Sequence, residues 1–434
     1  MDKKKIIVGF LVLVGVVLVV FLVLKFLPKE NIPSVGGKVK LVYWGLWEPA
    51  EVMEPLIVEY EKSHKNVEIE YVKQSSTDYR ERLFNAISQD RGPDIFRFHN
   101  TWTVMLKDVL TKIPTDIISN QEFESGYYPT VVKSVKMGDG YYGVPLMIDT
   151  IALYYNEDMF IAAGVTPPTT WEELREVASK LTVRDGYGRI QKAGVGLGTT
   201  GNIDFWSDVL GLMMLQDGVD LRKVDNTISA DGRNLGEEVL KYYTQFSRVD
   251  GVWDEVMPNS TSAFISGRLA MYFGPSWKVN EIREVNPDLN FKIIKVPQLS
   301  LPEVNWASYW VEGVSLKSKH QKEAFEFLKY LSSKESLRKM YAEASKIRYF
   351  GELYPRRDMQ SELSSDIYAR VFLEQAENAD SWYMCDETHD NGINDQIIKY
   401  YEDGVSSVNN GEDFFSALKT ISLGVGQVLQ LYGL

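Results

Sequence analysis

Residues 39–44 read Val-Lys-Leu-Val-Tyr-Trp, residues 67–72 Val-Glu-Ile-Glu-Tyr-Val, and residues 94–98, after a Gly92-Pro93 break, Asp-Ile-Phe-Arg-Phe. Each run is short and rich in β-branched or aromatic residues, so each reads as a strand. Between the first two, Met53, Leu56, Ile57 and Tyr60 fall at helical spacing, and Arg82 to Ile87 repeats a helical pattern before the third. Strand, helix, strand, helix, strand is the order of an α/β lobe with a largely parallel sheet. The theme returns later. Trp171 to Leu181 is a helix introduced by Pro167-Pro168, capped by Thr169 or Thr170, with Glu172 and Glu173 in its first turn. Ala324, Leu328 and Leu331 mark another amphipathic helix, with Phe325 and Phe327 beside the stripe. No repeat of fixed period occurs and the linkers are short, so the domains interleave instead of hanging on a tether.

The chain has 434 residues, too many for one small core, and 47 basic against 60 acidic side chains leave a net charge of −13. An acidic surface repels a phosphate backbone and argues against nucleic acid as a partner. A single cysteine, Cys385, excludes an intrachain disulfide and a thiolate cluster. The zinc-protease histidine pair, the nucleophile elbow and the phosphate-binding loop are all missing from the sequence, and the four histidines are scattered. No cofactor, metal or catalytic residue is expected. Gly196-Leu197-Gly198-Thr199-Thr200-Gly201 has dinucleotide-site spacing, but the acidic residues about 20 positions on follow a helical pattern, so it reads as a turn at a cleft rim.

The first thirty residues stand apart. Lys3, Lys4 and Lys5 precede an uncharged apolar run from Ile6 to Leu24, and Pro28 ends it. Nineteen residues is a membrane-crossing length, and the basic cluster assigns the N-terminus to the cytoplasm and the body to the outside. Residues 1–27 are thus expected to be an anchor at the cell membrane and 28–37 a tether. A cleaved signal is the competing reading, given the small residues Ser34, Gly36 and Gly37. A lipid anchor would require a cysteine just after the apolar run.

Seven short motifs follow in one order: Gly92-Pro93-Asp94-Ile95-Phe96; Gly143-Val144-Pro145-Leu146-Met147-Ile148-Asp149-Thr150; Leu153-Tyr154-Tyr155-Asn156; Pro168-Thr169-Thr170-Trp171-Glu172-Glu173-Leu174; Gly267-Arg268-Leu269-Ala270-Met271 with Gly274-Pro275-Ser276-Trp277; Lys319 to Phe325; and Pro355-Arg356-Arg357-Asp358. In this the chain resembles the family 1 extracellular solute-binding proteins of ABC importers, the maltose-binding-protein-like group, over nearly all of the body. The resemblance implies a two-lobed α/β fold of the periplasmic-binding-protein class II type, a ligand cleft between closing lobes, a monomer, and ABC permease subunits as partners. Lobe 1 would comprise 38–148 and 312–353, lobe 2 150–310 and 358–434. Crossings are expected near Asp149, Trp310 to Val314 and Tyr354 to Asp358.

Sugars present apolar C–H faces and hydroxyl edges, so their sites pair aromatic platforms with carboxylates, amides and basic groups. Such residues gather beside the motifs. Trp44, Trp47 and Glu48 follow the first strand, and His99, Asn100 and Trp102 the third. Asp149 occupies a position where the family commonly has an acidic ligand contact. Asn202 and Asp204 follow the glycine-rich turn. Trp277 matches the family's Gly-Pro-Trp platform, displaced by the inserted Ser276, and Trp310 and Glu312 sit at a crossing. Trp382 and His389 belong to a segment that is polar and aromatic together, with Tyr383, Glu387 and Asp390. Trp171, which opens a helix, reads as packing. The expected function is capture of a sugar or oligosaccharide for a membrane permease. The alternatives are a cationic or other non-sugar solute, and a surface glycoside hydrolase using Asp149 and Glu312 as paired carboxylates.

Overall fold

A computed structural model describes residues 38–299 and 302–434; the expected anchor and tether lie outside them. Among the described residues no helix is long and apolar enough to cross a membrane. In chain order the strands used below are β1 (Val39–Gly45), β2 (Val67–Lys73), β3 (Ile95–His99), β4 (Val144–Pro145), β5 (Ala152–Asn156), β6 (Val183–Arg184), β7 (Ile190–Val195), β8 (Leu269–Gly274), β9 (Phe291–Ile294), β10 (Asn305–Trp306), β11 (Trp310–Val314) and β12 (Ala379–Asp380). Among the helices are α1 (Ala50–Ser63), α2 (Tyr79–Ser88), α3 (Trp171–Leu181), α4 (Trp206–Gln216), α5 (Leu235–Arg248), α6 (Lys278–Val285), α7 (Gln321–Leu331), α8 (Lys334–Ala344), α9 (Ile393–Asn409) and α10 (Phe414–Leu431).

Two five-stranded sheets form two lobes. The first has the order β2-β1-β3-β11-β4 and the second β9-β5-β8-β7-β6. In the first, β1 runs parallel to β3 with Tyr43 beside Ile95, while β11 returns antiparallel with Glu312 opposite Arg97. In the second, β8 is parallel to β7 and antiparallel to β5. Every residue of β3, β5 and β8 is buried, as expected of strands covered on both faces. The helices obey their sequence periods. In α1 the buried side chains include Met53, Leu56, Ile57 and Tyr60, and in α7 Ala324, Phe325, Phe327, Leu328 and Leu331. Thr170 caps α3 in a capping box with Glu173. Trp171 packs as expected, stacked on Phe273 with ring centroids 5.6 Å apart.

The lobes are joined by backbone segments that hydrogen-bond to one another. Residues 146–151 lead from β4 to β5, and 307–309 return from β10 to β11. Ile151 N donates to Trp306 O at 3.1 Å, Ser308 N to Asp149 O at 3.2 Å, and Ile148 N to Leu353 O at 3.1 Å. Trp310 to Val314, expected to be a crossing, is strand β11 of the first sheet, with Trp310 opposite His99. The change of sheet falls just before it.

Candidate functional site

A cavity of about 400 Å³ opens over the crossing segments. Its floor is the run Met147 to Ile151 with Ser308 and Tyr309. One wall comes from the first sheet. Trp47, in the turn after β1, meets the Trp310 ring edge-on at 5.4 Å, and Trp310 is backed by Trp102 at 5.1 Å and His99 at 5.2 Å. His99 is buried, with Nδ1 2.8 Å from Thr101 Oγ1 and Nε2 3.0 Å from Ser308 Oγ. Burial pushes its pKa down to about 3, so the ring is neutral. The opposite wall follows β8. Trp277, 42% exposed, meets Phe205 edge-on at 5.8 Å. The ammonium of buried Lys278 lies 4.7 Å from the Trp277 ring centroid and is held by Glu281 at 2.8 Å. The remaining sides are Arg348 to Glu352 and the loop of Asp386, Glu387 and His389. Phe205, Glu387 and His389 all have positive φ, at 58°, 58° and 47°, so strained non-glycine backbone clusters at the rim.

Carboxylates dominate the charge. Asp149 accepts from Thr150 N at 2.8 Å and from Ser276 N and Oγ, the latter at 2.7 Å. Burial nonetheless pushes its pKa up to about 7, against those hydrogen bonds. Asp386 accepts from Phe205 N at 3.0 Å and Glu387 N at 2.9 Å, and its own N–H donates to Asp208 Oδ2 at 2.9 Å. Burial raises Asp386 to about 6. It also raises Asp208, with the neighbouring Asp386 charge adding to the effect, although Trp306 Nε1 donates to Asp208 at 2.7 Å. Glu352 is paired with Arg348 and is still pushed by burial to about 7. Glu387 pairs with His389 at 3.2 Å, which lowers the carboxyl and raises the imidazole.

Six of the fourteen expected ligand residues line this cavity: Trp47, His99, Asp149, Trp277, Trp310 and His389. The other eight do not. Glu48 and Glu312 are buried in the first lobe, where both pair with Arg97; Arg97 Nε donates to Glu312 at 2.8 Å. Asp149 and Glu312 therefore do not face each other across the cleft as a hydrolase pair. Trp102 supports Trp310 from behind, and Trp44 is half-buried on β1, outside the lining. Asn202 ties loops together, donating to Asp254 O at 2.9 Å and Met257 O at 3.0 Å. Asp204 accepts from Asn259 Nδ2 at 2.6 Å. Asn100 and Trp382 line a separate cavity of about 450 Å³ with Lys133 and Arg222. In the glycine-rich turn, Gly198 has φ +102° and an added Cβ would lie 2.6 Å from Ser247 N, so the motif meets a packing need.

Phe205, Asp208, Arg348, Phe350, Glu352 and Asp386 line the cavity without having been expected there. Asp386 stood within the polar and aromatic segment 382–391, the one signal available for it. The rest sit on helices or loops whose facing depends on the packing of both lobes.

Known proteins share this fold. A binding protein of Brucella abortus (strain 2308) is 25% identical over 268 residues, 59% of this chain and 62% of its own length. The chain thus spans less than two thirds of that relative. The maltotriose-binding protein of Pyrococcus abyssi (strain GE5 / Orsay) is 22% identical over 70% of this chain and 65% of its own. The crystal structure of the cyclic alpha-maltosyl-1,6-maltose binding protein from Arthrobacter globiformis superposes with a TM-score of 0.74 at 19% identity, covering 91% of this chain and all of that one, which establishes the two-lobed fold. The profile of the bacterial extracellular solute-binding proteins matches residues 56–349, more than half of the sequence, and the chain belongs to that family.

Proposed function

We propose that the protein captures a sugar or oligosaccharide between its two lobes outside the cytoplasm and delivers it to the permease of an ABC importer. The observation that carries this reading is the pair of exposed indoles, Trp47 at 39% and Trp277 at 42%, on opposite walls of one cavity whose floor holds Asp149. Indole faces suit the C–H faces of a sugar ring, and the carboxylate accepts from its hydroxyls. The named ligands of similar proteins, maltotriose and cyclic alpha-maltosyl-1,6-maltose, point the same way. Binding without turnover is part of the proposal, as are the lobe boundaries expected from the sequence and a membrane anchor in residues 1–27. The mass of the mature N-terminus tests the anchor.

Thermal denaturation in the presence of a sugar panel and a polyamine panel tests the ligand class, because a ligand that binds only the folded state raises the melting temperature. Stabilisation by sugars is expected. Stabilisation by polyamines alone would overturn the sugar reading in favour of the second one, a cationic solute, which the carboxylates of the lining favour. Release of shortened sugars during incubation would overturn binding without turnover.

A further inference from the structure

The cavity lining carries five carboxylates, from Asp149, Asp208, Glu352, Asp386 and Glu387. Two have a cationic partner, Glu352 with Arg348 and Glu387 with His389. The other three are oriented only by neutral donors: Asp149 by Ser276 and Thr150 N, Asp208 by the Trp306 indole and Asp386 N, and Asp386 by Phe205 N and Glu387 N. Among the described residues none of the three pairs with a lysine, arginine or histidine. Lys278, a cation beside the Trp277 wall, is committed to Glu281 at 2.8 Å, with Asp204 4.0 Å away. His99 is neutral. A neutral ligand closed into this space would leave three acids desolvated without a counter-charge, a costly arrangement that is relieved by proton uptake or by a cation.

We infer that the ligand carries its own cation: an amino sugar or amino-sugar oligosaccharide whose protonated amine enters the Asp149, Asp208 and Asp386 side of the cleft while its ring stacks on the indole walls. An ammonium has three donors and a full charge, which suits three carboxylates that line the cavity. A linear polyamine would leave the two indole platforms without a ring to cover. The inference rests on the proposed sugar reading and narrows it to one class.

The test is titration calorimetry on the full chain near pH 7 with matched sets: glucosamine and its β-1,4 dimer and trimer, their N-acetylated counterparts, the corresponding glucose sugars, and spermidine. The free amines are expected to bind at least about tenfold more tightly than the N-acetyl and hydroxyl forms. That advantage should shrink when the ionic strength is raised from about 0.05 to about 0.5 M, as screening requires. Asp386→Asn and Asp149→Asn should each weaken binding of the free amines more than binding of the neutral forms and so narrow the gap, with melting curves confirming the fold. The salt dependence decides the matter if either variant fails to fold. Neutral forms that bind as tightly as the amines would overturn the inference and leave the proposed function standing. Binding of none of these sugars would overturn the inference, and binding of spermidine alone would overturn both.

Discussion

Asp149 shows how a residue can be found from its position while its chemistry is not. The family resemblance of the motif Gly143 to Thr150 implies a ligand contact at Asp149, yet only the folded surroundings reveal that burial lifts its carboxyl to about 7. An unfolded aspartate titrates near 4, so between about pH 4 and about pH 7 the folded state holds a proton that the unfolded state has released. The stability this contributes is fully present below the unfolded value and is lost as pH rises through the folded one. Asp149→Asn should therefore flatten the fall in melting temperature between about pH 4 and about pH 7, the parts due to Asp386, Glu352 and Asp390 remaining. Identical slopes for the two proteins would contradict the assignment. The exposed indoles were legible for the same positional reason. Glu48 and Glu312 misled because a carboxylate near a strand end looks the same in sequence whether it meets ligand or pairs inside a lobe. Arg97 was the overlooked signal: an arginine in the middle of Asp-Ile-Phe-Arg-Phe must take its partners into the core with it.

That arginine ties three elements together. Its guanidinium on β3 reaches Glu312 on the neighbouring β11 and Glu48 in the segment that links β1 to α1, with all three side chains about 1% exposed. Removing only the cation strands two buried carboxylates. Arg97→Met should cost about 3–5 kcal/mol in denaturant unfolding. Replacing all three together, as Arg97→Met with Glu48→Met and Glu312→Leu, should recover most of that loss, since well-packed apolar residues can match a buried ion cluster. Equal loss in the single and triple variants would show that the site matters for shape, not for charge. Elements with a strong period were the legible ones: α1, α3 and α7 follow from apolar spacing and caps, whereas the two-residue strands β10 and β12 carry no pattern and form only because the crossing segments bring Asn305 beside Ala379.

An α/β lobe was readable from the alternation of strand and helix, interleaved domains from the absence of long linkers, and two lobes from the resemblance in the motifs, but the side chains facing the cleft are set by how the lobes meet, which no local pattern encodes. That meeting also governs the response to ligand. A ligand shifts the balance between open and closed forms only to the extent that it binds them differently, so contact with both walls is the requirement for closure. Trp47 and Trp310 lie on the wall built from the first sheet, and Trp277 on the wall that follows β8 of the second. In small-angle X-ray scattering, the sugar giving the largest thermal shift should reduce the radius of gyration of the native protein. Trp277→Ala removes one platform from a position 42% exposed, so it should leave the unfolding of the free protein nearly unchanged. It should weaken binding roughly tenfold, about 1.4 kcal/mol. At saturating sugar the variant still offers the first wall, and it should compact less than the native protein because the second anchor point is gone. A variant that binds more weakly yet compacts fully would place the closing contact elsewhere, with Phe205 and the Asp386 to His389 loop the next residues to substitute.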